Sequence, residues 1–121
     1  MEHNLWYHPR MKLWVDTTPR DFHGYKVHFD STILSKKGIP LKTSKRERRG
    51  GGYDLCVTLR YNGQPTKWTL SRLVASCFFG NIDGMEINHD KRNPENCSGY
   101  NLDIMTRSQN QRHWRDYGRD K

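Results

Sequence analysis

Long apolar runs are missing from this chain. No stretch approaches the 20 or so consecutive apolar residues, roughly, that a membrane-spanning helix needs, and the opening MEHNLWYHPRMKLW lacks the apolar centre of a secretion signal. The sequence therefore reads as cytoplasmic, with no membrane among its partners. Apolar residues are scarce in total as well: 33% of 121 residues are hydrophobic and the mean hydropathy is -1.04. One domain fits that length, but its core is thin, which leaves part of the chain for loops, tails or segments that order on a partner. The three cysteines, Cys56, Cys77 and Cys97, include no Cys-x-x-Cys pair. That excludes a zinc ribbon or a dithiol redox motif, and the apolar patterns around Cys56 and Cys77 read as buried thiols. Internal repeats are absent.

Acidic charge is also in short supply. Thirteen Asp and Glu face 21 Lys and Arg, giving a net charge of +8 and a pI near 9.6. Such a surface attracts polyanions, nucleic acid first among them, although a merely soluble basic protein has the same balance. Much of the excess sits in SKKGIPLKTSKRERRGGG, where Lys36, Lys37, Lys42, Lys45, Arg46, Arg48 and Arg49 stand against the single acid Glu47. The segment has no periodicity and ends in three glycines, so it reads as a flexible basic loop. It is either a solvated surface or a loop lying along phosphates, whose condensed counterions it would release.

Residues 1–20 show no clear period and read as an N-terminal arm that is free to be flexible, with His3 and His8 exposed to solvent. Its Trp6, Tyr7, Leu13, Trp14 and Val15 could cap a core or bind a partner. From Tyr25 the pattern sharpens: YKVHF alternates, DS turns the chain and TILS returns. YDLCVTLRY places Tyr53, Leu55, Val57, Leu59 and Tyr61 on one face, with Asp54, Thr58 and Arg60 on the other. Asn62-Gly63 then supplies a tight hairpin turn into PTKWTL. In LSRLVASCFFG, residues Leu70, Leu73, Val74, Cys77 and Phe78 form one helical stripe, with Thr69 or Ser71 available as a cap and Gly80 at the end.

The C-terminal third carries a different signal, EINHDKRNPENCSGYNLDIMTRSQNQ. EIN and DIM are each short enough to be strands flanking a loop, and TRSQ has the capping-box form that starts a helix carrying Asn110, His113 and Trp114. Asparagines are common in loops because they tolerate turns. A site needing one imidazole and several oxygen ligands would look the same. Oxygen ligands suit a hard cation beside phosphate, and a neutral imidazole can take a proton from water.

Read jointly, INH, then NLDIMT with its Asn twelve residues beyond the His, then SQN nine residues later, resembles the HNH endonuclease family, in particular the homing-type nucleases of phages and mobile introns. SRLVASCFFG and GGGYDLCVTLRYNG look like the helix and strand pair that precede the family's motif, and YKVHFDSTILSKKG is similar to its nuclease-associated hairpin module. The resemblance covers Tyr25 to Trp114. It departs at Ser71, where the family often has His, and in HDKRNPENC, where the Asp-Gly turn is missing and Cys97 replaces an Asn.

The resemblance implies an α+β fold, in which small antiparallel β-hairpins with a packed helix are followed by a ββα-metal (HNH) nuclease unit. Residues 21–121 would form one domain: hairpins and basic loop over 21–68, the helix over 69–80 and the ββα-metal unit over 85–116. It further implies a metal-dependent endonuclease that nicks or cuts double-stranded DNA, in the host-cell cytoplasm if phage-encoded. His89 would be the general base, Asn101 would hold its ring and loop, and Asn88 and Asn110 would hold a divalent metal, Mg²⁺ or else Mn²⁺. DNA would lie on Lys36, Lys37, Lys42, Lys45, Arg46, Arg48, Arg49, Arg60 and Arg112, with His113 as a secondary candidate. Further partners would be a second copy (a homodimer) or a protein bound through the arm. The competing expectations are a non-catalytic DNA-binding protein with the same fold and a protein-interaction module acting through the arm.

Overall fold

The computed structural model describes residues 4–89, 96–106 and 108–109. Among them, ten short strands and one α-helix form four small antiparallel sheets around a shared core. The first is the hairpin β1 (Leu5–His8) and β2 (Leu13–Asp16), followed by the three-stranded β3 (Arg20–Phe22), β4 (Tyr25–Val27) and β5 (Ile33–Leu34). A second three-stranded sheet has the order β6 (Ser44–Glu47), β7 (Tyr53–Tyr61), β8 (Gln64–Thr69). Helix α1 (Leu70–Phe78) leads to β9 (Glu86–His89), and a 3₁₀ turn over Gly99–Asn101 leads to its partner β10 (Leu102–Met105). No helix among the described residues is long and apolar enough to cross a membrane.

The β7–β8 hairpin forms where the alternation and the turn residues place it. Asn62 and Gly63 both take positive φ, 53° and 74°, the handedness that matches the twist of the flanking strands. Helix α1 lays Leu70, Leu73, Val74 and Phe78 against Val57 and Leu59 of β7, and Val27, Phe29 and Ile33 close the core from the β4–β5 side. Each fully buried side chain of this size contributes about 1.5–3 kcal/mol of transfer free energy. Gly80, with φ of 84°, follows the helix end. Thr69 occupies the N-cap position, but neither it nor Ser71 caps the helix through its side chain. The reciprocal bonds expected of a capping box do form at Thr106, although the helix they would start lies outside the described residues: Thr106 N donates to Gln109 Oε1 at 2.9 Å, and Gln109 N donates to Thr106 Oγ1 at 3.2 Å.

Two expectations need correction. The N-terminal segment is a hairpin packed on the core, not a loose arm: Val15 is buried, Trp6 packs against the core cluster and His8 is 0% exposed. Solvent does not reach His8 because its ring is consumed by contacts with β10. The basic segment is not all loop either, because Ser44–Glu47 pairs with β7 from Tyr53 to Cys56. Charged side chains are compatible with a strand at a sheet edge, where they stay in water.

Candidate active site

The antiparallel pairing of β9 and β10 sets Leu102 opposite His89 and Asp103 opposite Asn88. Beside this pair lies a cleft of about 380 Å³, lined by Asn88, His89 and Glu86 from β9, Arg72 from the first turn of α1, Asp54 from β7, and Arg48 from the end of the basic segment. Thr69 and Ser71 line it too, so the helix start that lacks a side-chain cap faces this space.

His89 is half-buried. Burial pushes its pKa below the ordinary imidazole value, the Asp54 carboxylate pulls it back up, and Arg48 pushes it down. A neutral imidazole is the form that can accept a proton. His89 Nε2 lies 3.9 Å from Cys97 Sγ. Burial raises the Cys97 thiol to about 11, despite a hydrogen bond from the Ser71 backbone N–H, so this neighbour is an uncharged thiol. Asn101 braces the segment carrying Cys97: its Nδ2 donates to Asn96 O at 3.0 Å, while Ser98 N donates to Asn96 Oδ1 at 2.9 Å.

Asn88 lines the cleft, and its Nδ2 is buried with no hydrogen-bond partner among the described residues. An orphaned buried amide is costly and calls for a compensating interaction. That unsatisfied atom is a donor and needs an acceptor, whereas the carboxamide oxygen of the same side chain is the atom able to meet a cation. The described residues contain no group of three His, Cys, Asp or Glu able to hold a metal. The oxygen donors Asn88 and Glu86 nevertheless fit a hard cation that keeps most of its waters. Asn110, Arg112 and His113 lie outside the described residues.

Sequence reasoning missed three charged groups of the cleft, Glu86, Arg72 and Asp54. Arg72 donates through Nη2 to Met85 O at 3.2 Å and presents its guanidinium beside β9. The signal available was a basic residue off the apolar stripe of α1. Asp54 faces Arg46 Nη2 at 3.6 Å and Arg48 Nε at 3.5 Å, which tethers Arg48 at the cleft. The other expected DNA-binding residues among those described do not line it. Lys36 reaches Arg60 O at 3.4 Å and lies over the Tyr25 ring, Lys45 lies over Tyr53, and Lys37, Lys42, Arg46, Arg49 and Arg60 are exposed.

No family model matches the chain, and no curated protein matches it. Among solved structures it is similar to the HNH homing endonuclease I-HmuI, described in work on DNA binding and cleavage by that enzyme. The TM-score is 0.66 at 25% identity over 84% of this chain. The match spans 59% of the I-HmuI chain, so this chain accounts for about three fifths of its length. The likeness supports an HNH-type nuclease fold, in keeping with the small antiparallel sheets and packed helix described above.

Proposed function

We propose that this chain is a metal-dependent HNH endonuclease that hydrolyses phosphodiester bonds of duplex DNA. The observation that carries the reading is the convergence of His89, Asn88, Arg48 and Arg72 on one cleft, in a fold similar to that of a homing endonuclease. His89, kept neutral by its burial, takes a proton from water as the water oxygen attacks phosphorus. The bond from phosphorus to the leaving oxygen breaks as the new one forms. Arg48 and Arg72 hold the phosphate oxygens by charge-assisted hydrogen bonds. Asn101 keeps the Asn96–Cys97 segment against His89, which limits how the imidazole can rotate. Asn88, together with Asn110, would hold Mg²⁺ or Mn²⁺. A bound divalent cation would supply charge neutralisation at the scissile phosphate and the leaving oxygen.

The test is conversion of supercoiled plasmid by the purified wild type and by His89→Ala, each with Mg²⁺, with Mn²⁺ and with EDTA. Open-circle or linear product from the wild type, lost in the variant and in EDTA, is the expected result, and the ratio of the two products separates nicking from double-strand cutting. Plasmid or cognate duplex that is bound in a salt-sensitive manner but never cleaved would replace the nuclease with a DNA-binding protein.

A further inference from the structure

The β9–β10 pair that presents Asn88 and His89 is four residues long on each strand. A two-stranded ribbon of this size is marginal alone in water. Its connection runs from residue 90 to residue 101, far longer than the tight turns that fix register in a hairpin. A slip of one residue would exchange the faces of Asn88 and His89. Something else must hold the register.

We propose that the N-terminal hairpin does so, with His8 and Arg10 as positioning residues for the site. The inference rests on the nuclease reading above. His8 Nδ1 accepts from Met11 N at 3.1 Å, so Nε2 carries the proton. That proton is donated to Leu102 O, with Nε2 at 2.7 Å from the carbonyl and 3.2 Å from Asp103 Oδ1. Arg10 Nε donates to the same Asp103 oxygen at 2.6 Å, and its Nη2 reaches Tyr100 O at 3.5 Å. Ile104 N donates to Met11 Sδ at 3.4 Å. Three successive residues of β10 are thus held by the end of β1 and the turn that follows it, and two of them are the partners of His89 and Asn88. Trp6 packs edge-on against Tyr100, with ring centroids 5.0 Å apart. An apolar side chain could fill the His8 site without the desolvation cost of a buried imidazole, but it could not specify which carbonyl of β10 lies against it.

The test uses the full chain with His8→Ala, His8→Gln and Arg10→Ala. Arg10 is 43% exposed, so its replacement leaves the fold intact even if His8→Ala proves too disruptive. The measurements are the kcat and KM of plasmid cleavage, DNA affinity in EDTA, thermal unfolding, and the His89 imidazole resonances by NMR. A misplaced reacting group costs about a hundredfold in rate per ångström, so His8→Ala and Arg10→Ala are expected to lower kcat by about tenfold or more. KM and DNA affinity should stay within about twofold, because no phosphate contact is removed. The His89 resonances should move, and His8→Gln, whose amide N–H can reach the Leu102 carbonyl, should recover most of the rate. Unchanged kcat in the folded variants would overturn the proposal. So would a loss that follows only the unfolded fraction, with the His89 resonances unmoved. If the wild type itself cleaves nothing, the nuclease reading fails. The NMR comparison then still decides whether His8 and Arg10 position His89.

Discussion

Replacing Gly99 by Ala tests how tightly the segment leading into β10 is packed. Gly99 N donates to Phe29 O at 2.7 Å, and a Cβ at this residue would overlap the edge of the Phe29 ring. Phe29 cannot readily swing away. It is 3% exposed and meets Trp6, Phe78, Phe79 and Tyr100 at centroid separations of 5.8, 5.0, 6.0 and 4.7 Å. Overpacking of this kind costs about 1–3 kcal/mol. For a domain of this length the unfolding entropy is about 0.25 kcal/mol/K, so each kcal/mol lowers Tm by about 4 °C. The expected fall is therefore about 4–12 °C. The backbone at Gly99 is not left-handed, so alanine itself is allowed there and removes about 0.4–1 kcal/mol of unfolded-state freedom. This makes the sign of the effect depend on Phe29. In a Phe29→Leu background the overlap is relieved, and Gly99→Ala should be neutral or slightly stabilising. Urea unfolding of the four proteins of this cycle measures the coupling. Equal costs of Gly99→Ala in both backgrounds would refute the packing argument.

Three further outcomes are expected. His89 must be neutral to act as a base, and burial lowers its pKa, so the acid limb of the pH–rate profile should lie below 6.5. Asp54→Asn removes the carboxylate that raises that pKa, and should move the limb further down; an upward shift in the profile would contradict the assignment. Asn101→Ala deletes the bond to Asn96 O and should cost about 1–3 kcal/mol in urea unfolding, because the acceptor loses its partner. Plasmid cleavage should fall about tenfold with it, and full activity would mean that Asn101 does not set the loop. Lys42→Ala and Arg49→Ala, two exposed cations of the basic segment, should each reduce the slope of log affinity against log salt by about 0.9 if they meet phosphates. Fluorescence anisotropy across a salt series reads this, and an unchanged slope would place the DNA elsewhere.

What the sequence made legible was whatever short-range chemistry decides. Asn62-Gly63 forces its hairpin, the apolar stripe from Leu70 to Phe78 forces a helix, and Thr106 with Gln109 exchanges the two bonds of a capping box. The pairing of β9 with β10 followed from two short apolar segments flanking a loop. The docking of the first hairpin was hidden because His8 finds its acceptor 94 residues away. Its turn also carries no glycine, Lys12 taking a positive φ of 55° instead. Strand β6 was hidden for another reason: four exposed residues, SKRE, offer no alternation, and only their register with Tyr53–Cys56 makes them a strand. At the site, Arg72 and Asp54 join the cleft through the packing of α1 and β7 beside β9, which no local pattern announces.

The 94-residue separation between His8 and Leu102 also sets an order of events as the chain emerges during synthesis. The β7–β8 hairpin and α1 draw on near neighbours and can form early, whereas contacts between distant residues are slow to close. Loop-closure entropy adds only about 0.6 kcal/mol per doubling of length, so the delay comes from waiting for the partner strand more than from the cost of closing. Until β10 has emerged, the inner face of the first hairpin, with Trp6, His8 and Val15, has no partner there. This is the sort of exposed apolar surface on which nascent chains misassociate. The same dependence keeps the cleft unfinished until residues from both ends of the described chain have met.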